Sequence, residues 1–141
     1  CYKYCKYPDE LASLNLVKAK LTFINGCSSA DGRGKFGYIP YSNLTALYAA
    51  GSDAVIVSQS KIYTRGASKL ADSFYKAWMD DSVYTPETSL GQAMYFAAMS
   101  MCTRPQKNAA DQFTHPLHWG CHIQIGDMTA RFKKCFTPYP D

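Results

Sequence analysis

Groups able to do chemistry gather at two places in this 141-residue chain. The first is Cys27, which follows Gly26 and precedes the small residues Ser28, Ser29 and Ala30. A thiol among small residues, whose backbone amides can point at a developing oxyanion, is a workable nucleophile, with the Gly26 and Cys27 amides as candidate oxyanion donors. Cysteine is also among the residues most often buried, so composition alone fits packing as well as catalysis. The second is His115-Pro-Leu-His118-Trp-Gly-Cys121-His122, which sets four possible metal ligands within eight positions. Nitrogen and sulfur donors this close can hold a tetrahedral zinc ion. Pro116 and Gly120 break any regular helical face, however, and no second Cys-x-x-Cys pair accompanies the cluster. The reading adopted is therefore no metal and no cofactor, with His115, His118, Cys121 and His122 kept as the alternative. Cys1-Tyr-Lys-Tyr-Cys5 lacks the Cys-x-x-Cys-His spacing of a haem attachment and reads instead as a disulfide tying the start of the chain.

These residues need elements to position them. Lys20-Leu-Thr-Phe-Ile-Asn25, rich in β-branched and aromatic residues and stopped by Gly26, is expected as a buried strand. The stretch from Cys27 to Gly34 is then a loop. Ser42 can cap a helix over Asn43 to Ala50, with Leu44, Leu47 and Tyr48 on one face and Gly51 as its stop. A second buried strand, Ala54-Val-Ile-Val57, follows. From Thr64 to Trp78 the apolar residues Ala67, Leu70, Ala71, Phe74, Ala77 and Trp78 keep helical spacing. Thr85-Pro86-Glu87 supplies a start signal for another helix, running to about Met101 with Leu90, Ala93, Met94, Ala97 and Met101 inward. His122-Ile-Gln-Ile125 alternates as a strand, Gly126-Asp127 turns the chain, and a last short strand is expected near Thr129 to Phe132. This order predicts an α/β fold, a mostly parallel sheet flanked by helices, in a single domain or fragment over 1–141. Cys27 then stands at the carboxyl end of a strand, where loops of open α/β sheets converge on a crevice.

The run Leu21-Thr-Phe-Ile-Asn-Gly-Cys27-Ser-Ser, the helix end Ala49-Ala-Gly51, the strand Asp53-Ala-Val-Ile-Val-Ser58, the helix Ala71-Asp-Ser-Phe-Tyr-Lys-Ala-Trp78, the step Ser89-Leu-Gly-Gln-Ala93 and the strand His122-Ile-Gln-Ile-Gly-Asp127 occur in a telling order. Over about 20–132 they resemble the cysteine-bearing half of a caspase-like domain, closest to gingipain-type cysteine peptidases and their separase- and CHAT-like relatives. The resemblance implies Cys27 as the nucleophile position. It also implies a histidine base, before a glycine, upstream of the cysteine; only 26 residues precede Cys27 and none is histidine.

Composition narrows the partners. The formal net charge of +4 is spread out, with Lys18/Lys20 and Lys133-Lys134 as local pairs, so nucleic acid is not expected as a partner. Apolar runs stop far short of the roughly 20 residues of a membrane span. Only 18% of residues are charged, and six cysteines could form three bridges, which favours an extracellular or cell-surface setting. A nucleophilic Cys27 leaves five cysteines, so parity argues mildly against catalysis. Asn43-Leu-Thr45 is a glycosylation sequon. Two functions follow. In one, Cys27 attacks a polypeptide substrate as a secreted hydrolase, using a histidine from an upstream segment of the same precursor. In the other, the domain is a pseudoenzyme that binds protein partners through exposed tyrosines such as Tyr38, Tyr41, Tyr63, Tyr84 and Tyr139. Asp53, Asp80, Asp81 and Asp127 are the candidates for an acidic specificity pocket.

Overall fold

The computed structural model describes residues 8–27, 29, 42–79, 88–103 and 113–131. The elements run α1 (Pro8–Ala12), β1 (Thr22–Ile24), α2 (Asn43–Ala49), β2 (Ala54–Ser58), α3 (Thr64–Met79), α4 (Leu90–Thr103), a 3-10 turn (Pro116–His118) and β3 (His122–Gly126). From β1 onward this is the alternation expected, and the fold is α/β. The sheet order is β1-β2-β3, with β2 in the centre. β1 pairs parallel to β2 with Phe23 opposite Ile56, and β3 pairs antiparallel to β2 with His122 opposite Ser58. The parallel reading thus holds for the pair joined through α2, while β3 returns in the opposite sense.

β2 shows why helices cover both faces. Every residue of Ala54–Ser58 is buried, a continuous apolar run of the kind found where a strand is covered on both sides. Ala54 and Ile56 join Leu70, Phe74, Ala77, Leu90, Ala93, Met94, Ala97 and Met101 of α3 and α4 in one core. Val55 and Val57 face the other way, into Leu11, Leu44, Ala46 and Leu47 of α1 and α2. The period-2 alternation of the strand meets the helical periodicity of its neighbours on each side. The inner faces of α3 and α4 are those expected, with Ala71 and Trp78 half-buried at the margin.

Several boundaries differ from expectation, each for a local reason. β1 is shorter than Lys20–Asn25 and half-buried, because among the described residues it pairs only with β2. Tyr48 points outward, and Ala46 takes the inner position with Leu44 and Leu47. α2 ends as its glycine predicts: Ala50 is the C-cap and Gly51 has φ +102°, the left-handed conformation that favours glycine. Thr85-Pro86-Glu87 lies outside the described residues, and α4 starts at Leu90. There Ser89 Oγ accepts from Gln92 N at 3.3 Å while Gln92 Oε1 accepts from Ser89 N at 3.0 Å, a reciprocal cap. In place of a last strand, the described chain has a single antiparallel bridge between Ser89 and Arg131; Phe132 lies outside. Helix α1, packed beside α2, had no clear signal in its five residues.

Gly126 ends β3 with φ +92°, and a Cβ there would strike the Asp53 carbonyl oxygen. Both the conformation and the contact involve backbone, which cannot give way cheaply. Gly126→Ala is therefore expected to cost at least about 2 kcal/mol, read as a lowered midpoint in urea unfolding. An unchanged midpoint would show that the turn has another conformation.

Candidate active site

Cys27 is built on a turn at the carboxyl end of β1. Ser29 N donates to Gly26 O at 3.2 Å and closes the turn. Ser29 is itself buried: its Oγ donates to Ile24 O at 2.9 Å and accepts from Ser58 N at 2.7 Å. One small hydroxyl therefore fastens the loop to the ends of both β1 and β2. The Cys27 side chain is exposed, and its Sγ donates to Ile62 O at 3.4 Å, in the segment that leads into α3. That partner is a carbonyl oxygen, which cannot take up the thiol proton.

Beneath the turn, Asn25 Nδ2 donates to Ala67 O at 2.7 Å, in the first turns of α3. Its Oδ1 lies 3.0 Å from His122 Nε2. A carboxamide oxygen only accepts, so Nε2 is the donor and carries the proton. The His122 ring stands edge-on to Phe23, with centroids 5.8 Å apart, and its Nδ1 is buried without a hydrogen-bond partner. Burial disfavours the charged imidazolium and lowers the His122 pKa below its ordinary 6.5. Between the folded and unfolded pKa values the unfolded chain binds more protons, so stability is full above about pH 6.5 and falls as the pH drops through the depressed value. Melting temperature measured from pH 8 to pH 5 is expected to decline below about pH 6.5, with a shallower decline in His122→Gln. Equal slopes would mean that His122 does not titrate differently on folding.

The other side chains of the histidine and cysteine cluster have separate surroundings. His115 Nδ1 accepts from Leu117 N at 3.2 Å and so caps the 3-10 turn. His118 lies between Tyr63 and Phe113, with centroids at 5.3 and 5.4 Å, over Gly66, where a Cβ would stand 2.5 Å from Nδ1. Cys121 is buried, its Sγ donating to Leu117 O at 3.4 Å. Among the described residues no three histidine, cysteine or acidic side chains converge as a metal site. Of the four, His122 is linked to the Cys27 turn by its hydrogen bond to Asn25, and His118 packs on Tyr63, the residue after Ile62.

Cys27, Cys102 and Cys121 are free thiols, with no bridge among the described residues. Cys121 is engaged within its own turn. Cys1, Cys5 and Cys135 lie outside the described residues. Of the acidic candidates, Asp53 and Asp127 sit at the opposite end of the sheet, beyond Ala54 and Gly126. β2 alone separates that end from the Cys27 end by about 13 Å at about 3.3 Å per residue. There Asp53 pairs with Lys20 at 2.5 Å, and Asp127 Oδ1 accepts from Thr129, which holds its carboxyl below the usual range. Asp80 and Asp81 lie outside the described residues.

Gly26 has open space where a Cβ would stand, with nothing within 4 Å. The approach to the Cys27 turn is therefore unobstructed on that side. Gly26→Ala is expected to change stability by less than about 1 kcal/mol, checked by urea unfolding; a larger loss would reveal a left-handed conformation at this position.

Asn25, Ser29 and the Ile62 carbonyl were not legible as site residues. Among them only the order Asn25-Gly26-Cys27 after a strand carried any signal; the rest depends on α3 and β3 packing against β1. The family model for the CHAT domain matches residues 8–127. This corresponds to the CHAT-like group among the kin that the sequence resembles, and it reaches further toward the N-terminus, taking in α1. No curated protein matches the chain.

Proposed function

The chain belongs to the CHAT domain family, caspase-like domains related to cysteine peptidases, and on that premise we propose that Cys27 is the nucleophile of a cysteine endopeptidase. The observation that carries the reading is the exposed Cys27 thiol on a turn fastened at Ser29, at the carboxyl end of β1. In the reaction, Sγ attacks the scissile carbonyl carbon of a polypeptide, and the Gly26 and Cys27 amides face the oxyanion. The carbon–nitrogen bond then breaks, the thiol proton passes through a base to the leaving amine, and water hydrolyses the thioester. Ile62 O cannot act as that base, and we assign the role to a histidine on an upstream segment of the precursor. We also propose kinship with the gingipain type, on the Gly126-Asp127 step that the sequence shares with its pattern. We further propose an extracellular or cell-surface location, on the low charge of the chain.

A pseudoenzyme acting as a binding module is the second reading, supported by Tyr63, which is 62% exposed. Tyr38, Tyr41, Tyr84 and Tyr139 lie outside the described residues. No described helix is long and apolar enough to cross a membrane. Non-reducing peptide mapping after iodoacetamide treatment tests the peptidase reading. Recovery of Cys27 as the alkylated thiol is expected from the peptidase, and recovery of Cys27 in a disulfide overturns it.

A further inference from the structure

Cys27 depends on a contact that neither the matched family nor the sequence motifs assign. We infer that His122 and Asn25 form a positioning pair for the Cys27 turn, in which the His122 Nε2–H fixes the Asn25 carboxamide so that it clamps β1 to α3. The inference deepens the nucleophile reading of Cys27 and rests on it for its functional meaning.

Asn25 is two residues before Cys27, and its side chain bridges two elements. Nδ2 donates to Ala67 O on α3 at 2.7 Å, and Oδ1 takes the His122 hydrogen from β3 at 3.0 Å. The two ends of a carboxamide differ chemically, so only one orientation satisfies a carbonyl on one side and an N–H on the other. Removing the donor at position 122 leaves Oδ1 without this partner and the carboxamide held at one end only, by the Ala67 carbonyl. The contact matters because Cys27 Sγ and Asn25 Nδ2 cross the same gap. One reaches Ile62 O just before α3, and the other reaches Ala67 O within it. The clamp thus fixes the separation that determines where Sγ stands. His122 can hold it from β3 because antiparallel pairing sets His122 opposite Ser58, level with the carboxyl end of β1. Phe23 packs edge-on against the imidazole at 81° and limits its rotation, so the donor stays aimed. This arrangement acts through Asn25, and His122 is a positioning residue, not a catalytic one.

Nuclear magnetic resonance on the folded chain tests the pair. In the wild type the Asn25 carboxamide protons are expected to exchange at least about tenfold more slowly than those of Asn15, which is exposed. The His122 nitrogen shifts should show the Nε2–H tautomer at pH 8. His122→Phe keeps a ring against Phe23 but has no donor. It is expected to bring Asn25 exchange to the Asn15 rate and to speed exchange of the Ser29 amide, which closes the Cys27 turn, by about tenfold. His122→Gln presents an N–H in the place of Nε2–H and should restore both protections to within about twofold of wild type. An Nδ1–H tautomer in the wild type overturns the pair without recourse to any variant. So do unchanged protections in His122→Phe, or an equal loss in Phe and Gln. None of these readouts involves the reactivity of Cys27. A Cys27 found in a disulfide or inert would refute the nucleophile and leave the clamp measured on its own terms.

Discussion

Cys27→Ala in the full-length protein is expected to abolish cleavage of denatured casein, a loss on the order of a thousandfold or more, while leaving the melting temperature within experimental scatter. The two halves of this expectation have separate physical grounds. Activity is lost because no other described thiol stands at the carboxyl end of a strand: Cys102 is half-buried late in α4, and Cys121 is buried in the turn before β3. Stability is kept because the Cys27 side chain is exposed and makes one long hydrogen bond to Ile62 O, while the turn itself hangs on Ser29. Removing an exposed thiol costs little, since no cavity opens and no buried acceptor is stranded. Casein cleavage by Cys27→Ala at the wild-type rate would transfer the chemistry elsewhere and end the nucleophile reading.

Phe74→Ala is expected to be the most damaging change to the fold. Phe74 is fully buried and among the largest such side chains in the core between the sheet and the α3–α4 pair. Its ring meets Phe23 edge-on at 5.4 Å and stacks on Trp78 at 6.0 Å. Truncation to alanine deletes this area and leaves a cavity, at a cost of about 3–5 kcal/mol. Against a total stability of about 5–15 kcal/mol for an ordinary domain, that is a large share, and a fall in melting temperature of more than about 10 °C follows. The change also reaches the site, because Phe23 leans on Phe74 with one edge and on His122 with another. Phe74→Leu, which keeps most of the volume, should recover the larger part of the loss. A shift of only a few degrees in Phe74→Ala would mean that the α3–sheet interface is not packed as described.

The elements that carry the core were legible because burial imposes a period. α3 and α4 show their inner residues at helical spacing, and β2 shows itself as a short apolar run. Local caps were legible too, as at Ser42 and Gly51, where a side-chain oxygen or a missing Cβ meets a backbone need. What was not legible depends on contacts between residues far apart in the chain. The sense of β3 is set by how the chain returns from α4, which no local pattern encodes. That sense places His122 beside Asn25, 97 positions away, and converts a supposed metal ligand into a partner of the Cys27 turn. The same holds for Ser29, whose hydroxyl takes the Ser58 amide. Cys27 itself was found by its place after a strand, and that place is where the structure puts it.

Cys27 is proposed as an activated nucleophile, and its rate of alkylation tests this most directly. Exposure alone would make Cys27 react before Cys121, so the reference must be a free thiol. The measurement is the second-order rate constant of Cys27 with iodoacetamide at pH 6 in the full-length protein, followed by peptide mapping and set against N-acetylcysteine in the same buffer. A base acting on the thiol is expected to make Cys27 at least about tenfold faster than the free thiol. A Cys27 that reacts at the rate of N-acetylcysteine or more slowly would contradict the account.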